Sequence, residues 1–147
     1  MADRIEKSAV LPVPRARVWR ALTDAAEFGA WFGVKLEGPF AEGAPAGGLI
    51  TNPGYERIVM DLKVVRIDPE RLFSWHWHPY AVEPGVDYSH ETPTLVTFTL
   101  ENAGAETRLT VVETGFDKLP EERREKAYAM NSGGWEYQMR SIQKYLA

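Results

Sequence analysis

Residues 120–146, PEERREKAYAMNSGGWEYQMRSIQKYL, decide the architecture. Tyr128, Trp135, Met139, Ile142 and Leu146 recur at spacings of seven, four, three and four, which places them on one stripe of an α-helix. Such a stripe has to be covered, and the segments that precede it read as strands, so a sheet is expected to pack on it. Gly133 and Gly134 interrupt the pattern at a cost of roughly 2 kcal/mol relative to two alanines. The helix is expected either to kink there or to let another backbone come close. The run Glu121-Glu122-Arg123-Arg124-Glu125-Lys126 mixes both signs at i,i+3 and i,i+4 spacings and reads as a solvated helix face.

Working back from the helix, Leu109 and Val111 pair as a hairpin with Val96, Phe98 and Leu100, across a turn at residues 102–105 that contains Gly104. Phe73, Trp75 and Trp77 alternate with Ser74, His76 and His78 in a strand that stops at Pro79. Ile58, Met60, Leu62 and Val64 alternate in another, which Asp68-Pro69 ends. Residues 38–54 are dense in Gly and Pro and are expected to turn repeatedly, with one short strand around 48–52. Two short helices come earlier. One spans residues 14–22, and the next opens on Asp24 and Glu27 as a capping pair and carries Phe28 and Trp31 to Gly33. Residues 5–11 alternate as a first strand. Residues 79–93 form a connection far longer than the median of about 4 to 6, as lids and mobile loops do.

The composition narrows function by exclusion. With 44% hydrophobic and 26% charged residues, the 147-residue chain is expected to fold as a single domain over residues 1–147. It contains no cysteine, which removes disulfides, thiolate nucleophiles and cysteine-bound metals. A net charge of -4 disfavours nucleic acid and anionic membrane surfaces as partners. The charged start lacks a signal peptide's apolar run and no stretch is long enough to span a membrane, so a cytoplasmic location is expected. Phosphate-cradling loops and a G-x-S-x-G elbow are absent, and Ser132-Gly133-Gly134 lies within a helical pattern. No cofactor and no catalytic residue are assigned. His76 and His78 point to one face of a strand, but a third metal ligand would have to come from His90 or Glu91 in the long connection. No metal site is expected.

Several short segments carry a resemblance: Val18-Trp19, Ala21-Leu22-Thr23-Asp24, Trp31-Phe32-Gly33, Gly47-Gly48, Ile67-Asp68-Pro69-Glu70-Arg71-Leu72, Thr107-Arg108-Leu109-Thr110, Glu113-Thr114-Gly115-Phe116 and Gly134-Trp135. In order and spacing they resemble the SRPBCC (START-like, Bet v 1-like) superfamily, and within it the activator of heat-shock-protein-90 ATPase homologue family. The resemblance covers nearly the whole chain. It implies an α+β helix-grip fold: a curved antiparallel sheet of about seven strands wrapped around a long carboxyl-terminal helix, with two short helices after the first strand. That superfamily hosts lipid and steroid binders, polyketide cyclases and chaperone regulators, so the fold alone does not choose among them.

The residues offer three readings. The first is a binding module for a small apolar or aromatic molecule held between sheet and helix, with Met60, Trp75, Trp77, Phe98, Glu113, Tyr128, Trp135 and Met139 as the ligand-binding set. Glu113 shares strand parity with Leu109 and Val111 and so points inward, where a carboxylate needs a partner. It and Tyr128 are the expected polar contacts, and replacing Glu113 by glutamine is expected to relieve a desolvated charge. The second reading is an enzyme of the polyketide-cyclase type with Glu113 as base. The third is a protein-interaction domain that contacts a chaperone or forms a homodimer.

Overall fold

The computed structural model describes residues 3–83 and 85–147. Its elements run β1 (Arg4–Leu11), α1 (Arg15–Thr23), α2 (Ala25–Phe32), β2 (Val34–Leu36), β3 (Pro45–Ile50), β4 (Val59–Asp68), β5 (Leu72–Trp77), β6 (Thr94–Ala103), β7 (Glu106–Thr114) and α3 (Glu121–Leu146). The strands form one antiparallel sheet in the order β1-β7-β6-β5-β4-β3-β2. This is the α+β helix-grip arrangement that the strand and helix patterns imply. Among the described residues no helix is long and apolar enough to cross a membrane.

Alternation sets which face is covered. Trp75 pairs with Val64 on one side and Val96 on the other, and all three are buried. Phe73, Trp75, Phe98 and Trp135 form the centre of an aromatic core that Phe28 of α2 joins edge-on, 5.9 Å from Trp75. One extra residue in β4, Val65, shifts the register between Val64 and Arg66, so that beyond the bulge Ile67 opposes Phe73. The Asp24 carboxylate accepts from the Glu27 amide at 3.0 Å and opens α2 as its spacing implies. Gly33, at φ 90°, closes it in the left-handed conformation. Helix α3 then secures that end, because the Gln138 side-chain amide donates to the Phe32 carbonyl at 2.9 Å. Glu27 joins all three helices by accepting from Arg17, Arg20 and Tyr145. Burial opposes its charge, but the bonds from Arg17 and Tyr145 prevail and hold its carboxyl below the ordinary range.

Three expectations need correction. The short strand placed at 48–52 lies at Pro45–Ile50, and β2 joins it as a three-residue edge. Gly47 and Gly48 lie where β2, β3 and β4 press together, and a Cβ on Gly48 would run into the Lys35 carbonyl. Helix α3 is continuous through Gly133 and Gly134, and a Cβ on either would meet nothing within 4 Å. Neither a break in the helix nor a close approach explains these glycines. The charged run at 121–126 is not wholly a solvated face either, since Arg123 and Arg124 are half-buried.

The open space at Gly133 leads to a prediction. Gly133→Ala is expected to raise stability by about 0.5–1 kcal/mol, through helix propensity and a less flexible unfolded chain. The urea midpoint of the variant checks it, and an unchanged or lower midpoint would show that the helix needs the glycine.

Candidate functional site

The feature that organises the interior is the carboxylate of Glu113. Its strand position opposes Ile5 on β1 and Val96 on β6, both buried, so it points under the helix as parity requires, and it is fully buried. Four donors surround it. Trp135 Nε1 at 2.8 Å and Asn131 Nδ2 at 2.9 Å donate to Oε1, while Trp77 Nε1 at 2.8 Å and Thr94 Oγ1 at 2.6 Å donate to Oε2. Among the described residues no cation takes part. An ionised carboxylate is an acceptor with about four lone-pair sites, and this shell fills them. The group is therefore neither a free base nor a free ligand contact. It fixes two indoles, one from β5 and one from α3, whose rings lie 5.7 Å apart.

Those indoles form the inner wall of a cleft of about 840 Å³. One side is the α3 face that carries Met130, Asn131, Gly134 and Gln138, and another is the β3–β4 end with Ile50, Ile58 and Met60. The third side is the long connection, through His78, Tyr80, Val86 and Tyr88. Tyr55, Val59, Val86, Met130 and Tyr137 are exposed apolar side chains that all border it. Contiguous apolar surface of this kind marks binding sites. Asp87, at the mouth, is held below the ordinary carboxylate range by hydrogen bonds from the Ser89 side chain and amide.

Of the eight residues expected to touch a ligand, Met60, Trp77 and Trp135 border the cleft. Trp75, Phe98 and Met139 instead fill the core. Tyr128 faces away from the cleft: its ring packs on Phe116 at 5.3 Å and its hydroxyl donates to the Arg4 carbonyl of β1. Glu113 lies behind the wall. Trp77 is only half-buried because the cleft opens beside it. The two histidines part company, with His76 Nδ1 3.1 Å from the Thr94 carbonyl and His78 bordering the cleft.

Sequence reasoning missed the residue that holds the long connection. Arg123 donates to both carboxylate oxygens of Glu91, at 3.0 and 2.8 Å, and to the carbonyls of Tyr80 and Pro79, each at 2.9 Å. Its guanidinium also stacks 4.6 Å from the centre of the Tyr88 ring. One side chain thus ties both roots of the connection to α3. Tyr80 sits at φ 52°, a strained conformation for a bulky residue, where the Arg123 bond holds its carbonyl. The available signal was periodic: stepping back from Trp135 by fours gives Asn131, Ala127 and Arg123, which continues a buried stripe into the charged run.

Residues 12–147 match the family model described as activator of Hsp90 ATPase homolog 1-like protein. Among solved structures, a protein from Arthrobacter aurescens superimposes with a TM-score of 0.80 at 20% identity, covering 99% of this chain and 86% of that one. The Aha1 dimer from Colwellia psychrerythraea gives 0.72 at 18% identity, with 99% and 96% covered. DynU16, a protein of the dynemicin biosynthetic locus, gives 0.76 at 23% identity; 99% of this chain is covered but only 48% of DynU16, so the chain spans about half its length. No curated protein matches the chain.

Two expectations follow for the buried acids. Glu113→Gln puts an amide nitrogen against donors, which reverses the stabilisation anticipated from charge removal, and stability should fall by about 2 kcal/mol or more. A denaturation midpoint at or above that of the parent protein would refute the donor shell. Arg123→Ala strands Glu91 without its partner and should cost about 3–5 kcal/mol. Limited proteolysis should then cut within residues 79–91, and an intact connection would show that it is held by other means.

Proposed function

The chain belongs to the activator of Hsp90 ATPase homolog 1-like protein family, and on that premise we propose that it is a binding module for a small apolar or aromatic molecule, held in the cleft between α3, the β3–β4 end and the long connection. The observation that carries this reading is the cleft itself. At about 840 Å³ it lies within the usual range of small-molecule sites, and it is walled by two indoles whose orientation a buried carboxylate fixes. Preorganised aromatic walls limit the ordering cost of binding. The saturated shell of Glu113 favours binding over base catalysis, because a general base needs a free lone pair within reach of the proton it abstracts.

The test is a titration of isotope-labelled protein with a library of apolar and aromatic fragments, reading the indole N–H resonances of the five tryptophans. Binders should shift Trp77 and Trp135, leave Trp19 and Trp31 in place, and raise the melting temperature in proportion to the logarithm of ligand excess. A library that moves neither Trp77 nor Trp135 would defeat the reading.

A further inference from the structure

Four side chains of the inner cleft wall turn their donors out of the cleft, whereas Asn52, Tyr55, Tyr80, Ser89 and Tyr137, which can donate or accept, border its outer sides. Trp77 and Trp135 give their N–H groups to Glu113, and Asn131 gives its amide nitrogen to the same carboxylate. Gln138 gives its amide nitrogen to the Phe32 carbonyl. A carboxylate and a carbonyl are acceptors only, so chemistry fixes which way both amides are turned. What these four side chains leave to the cleft is the indole rings and no donor. Gln138 borders the cleft, and its Oε1 is buried with no partner among the described residues. A buried acceptor in that state is costly until a donor meets it.

The charges point the same way. Among the described residues bordering the cleft none is Lys or Arg; the charged ones are Asp61 and Asp87. Asp61 leaves β4 on the face opposite Met60, whereas Asp87 lies exposed at the mouth. Arg123, beneath Tyr88, is already matched by Glu91 and two carbonyls. Behind the indoles stands the Glu113 carboxylate, and the ring faces themselves carry the negative side of their quadrupole. The His78 imidazole is the adaptable group, able to donate or accept according to its tautomer.

Building on the binding reading above, we infer that the cleft selects apolar or aromatic molecules whose polar end donates a hydrogen bond, a hydroxyl or a protonated amine, and discriminates against carboxylates and other anionic ends. Gln138 Oε1 is the acceptor for that end once the bound molecule displaces the atoms that cover it. The indole faces hold the apolar body and favour a cation beside them.

Four probes of one shape test the inference at near-neutral pH: naphthalene, 2-naphthol, 2-naphthylmethylamine and 2-naphthoate. Dissociation constants come from the Trp77 and Trp135 indole resonances. The hydroxyl and ammonium probes should bind on the order of tenfold tighter than 2-naphthoate, and 2-naphthol tighter than naphthalene. If 2-naphthoate binds as well as 2-naphthol or better, the selectivity is overturned while the cleft stands as a binding site. If none of the four moves either resonance, the binding reading itself fails and takes the selectivity with it. Gln138→Lys keeps a donor for the Phe32 carbonyl but removes the acceptor and adds a cation. It should bring 2-naphthol down to the affinity of naphthalene and raise that of 2-naphthoate, and an unchanged ranking in the folded variant would overturn the role of Gln138.

Discussion

A single buried negative charge constrains the rest of the structure. An isolated carboxylate in an apolar interior is strongly unfavourable, and Glu113 is tolerated because β5, β6 and α3 each bring donors to it. That requirement acts as a geometric lock. The helix can settle on the sheet only in the register where Asn131 and Trp135 reach Oε1 while Trp77 and Thr94 reach Oε2. Hydrophobic burial alone would accept several sliding positions of α3 over an aromatic sheet, since it has no direction. The hydrogen bonds supply the direction.

Glu91 presents the same problem with a different solution. It is buried against a cation, Arg123, whose remaining donors reach the backbone of Pro79 and Tyr80. The two acids sit at opposite ends of one mechanical arrangement: Glu113 fixes the inner wall of the cleft, and the Glu91–Arg123 pair fixes the loop that forms its outer side. A neutral shell leaves a net negative charge behind the wall, whereas the ion pair leaves none beside the loop. The electrostatic character of the cleft follows from that asymmetry.

Much of the fold is written in local patterns. The alternation in β4 to β7, the capping pair at Asp24 and Glu27, and the stripe on α3 each require only neighbours in the chain. Even the inward orientation of Glu113 follows from two-residue parity. Its partners do not, because they lie 18 to 36 residues away and no periodicity links them. Strand β2 escaped notice because three residues carry no alternation, and because β3 packs through glycines rather than through an apolar side-chain pattern. Tyr128 shares a stripe with Trp135, and spacing alone therefore puts it with the ligand. The stripe is wide, however: its Tyr128 edge lies over β1, and the edge with Asn131, Gly134 and Gln138 borders the cleft. Arg123 was hidden among charges that ordinarily face water.

The pairing of β1 with β7 also shapes how the chain must be made. Arg4 pairs with Thr114, so the strand synthesised before all the others in this sheet has no partner until the ribosome has released β7. During that interval an eight-residue extended segment is free to join another nascent chain. Arg4, Glu6 and Lys7 interrupt its apolar residues with charge of both signs, the kind of gatekeeping that keeps a waiting strand in solution. Closure of the sheet is consequently a late event in biogenesis, and the carboxylate of Glu113, two residues before Gly115 on the closing strand, gains its full set of donors only after α3 has emerged as well.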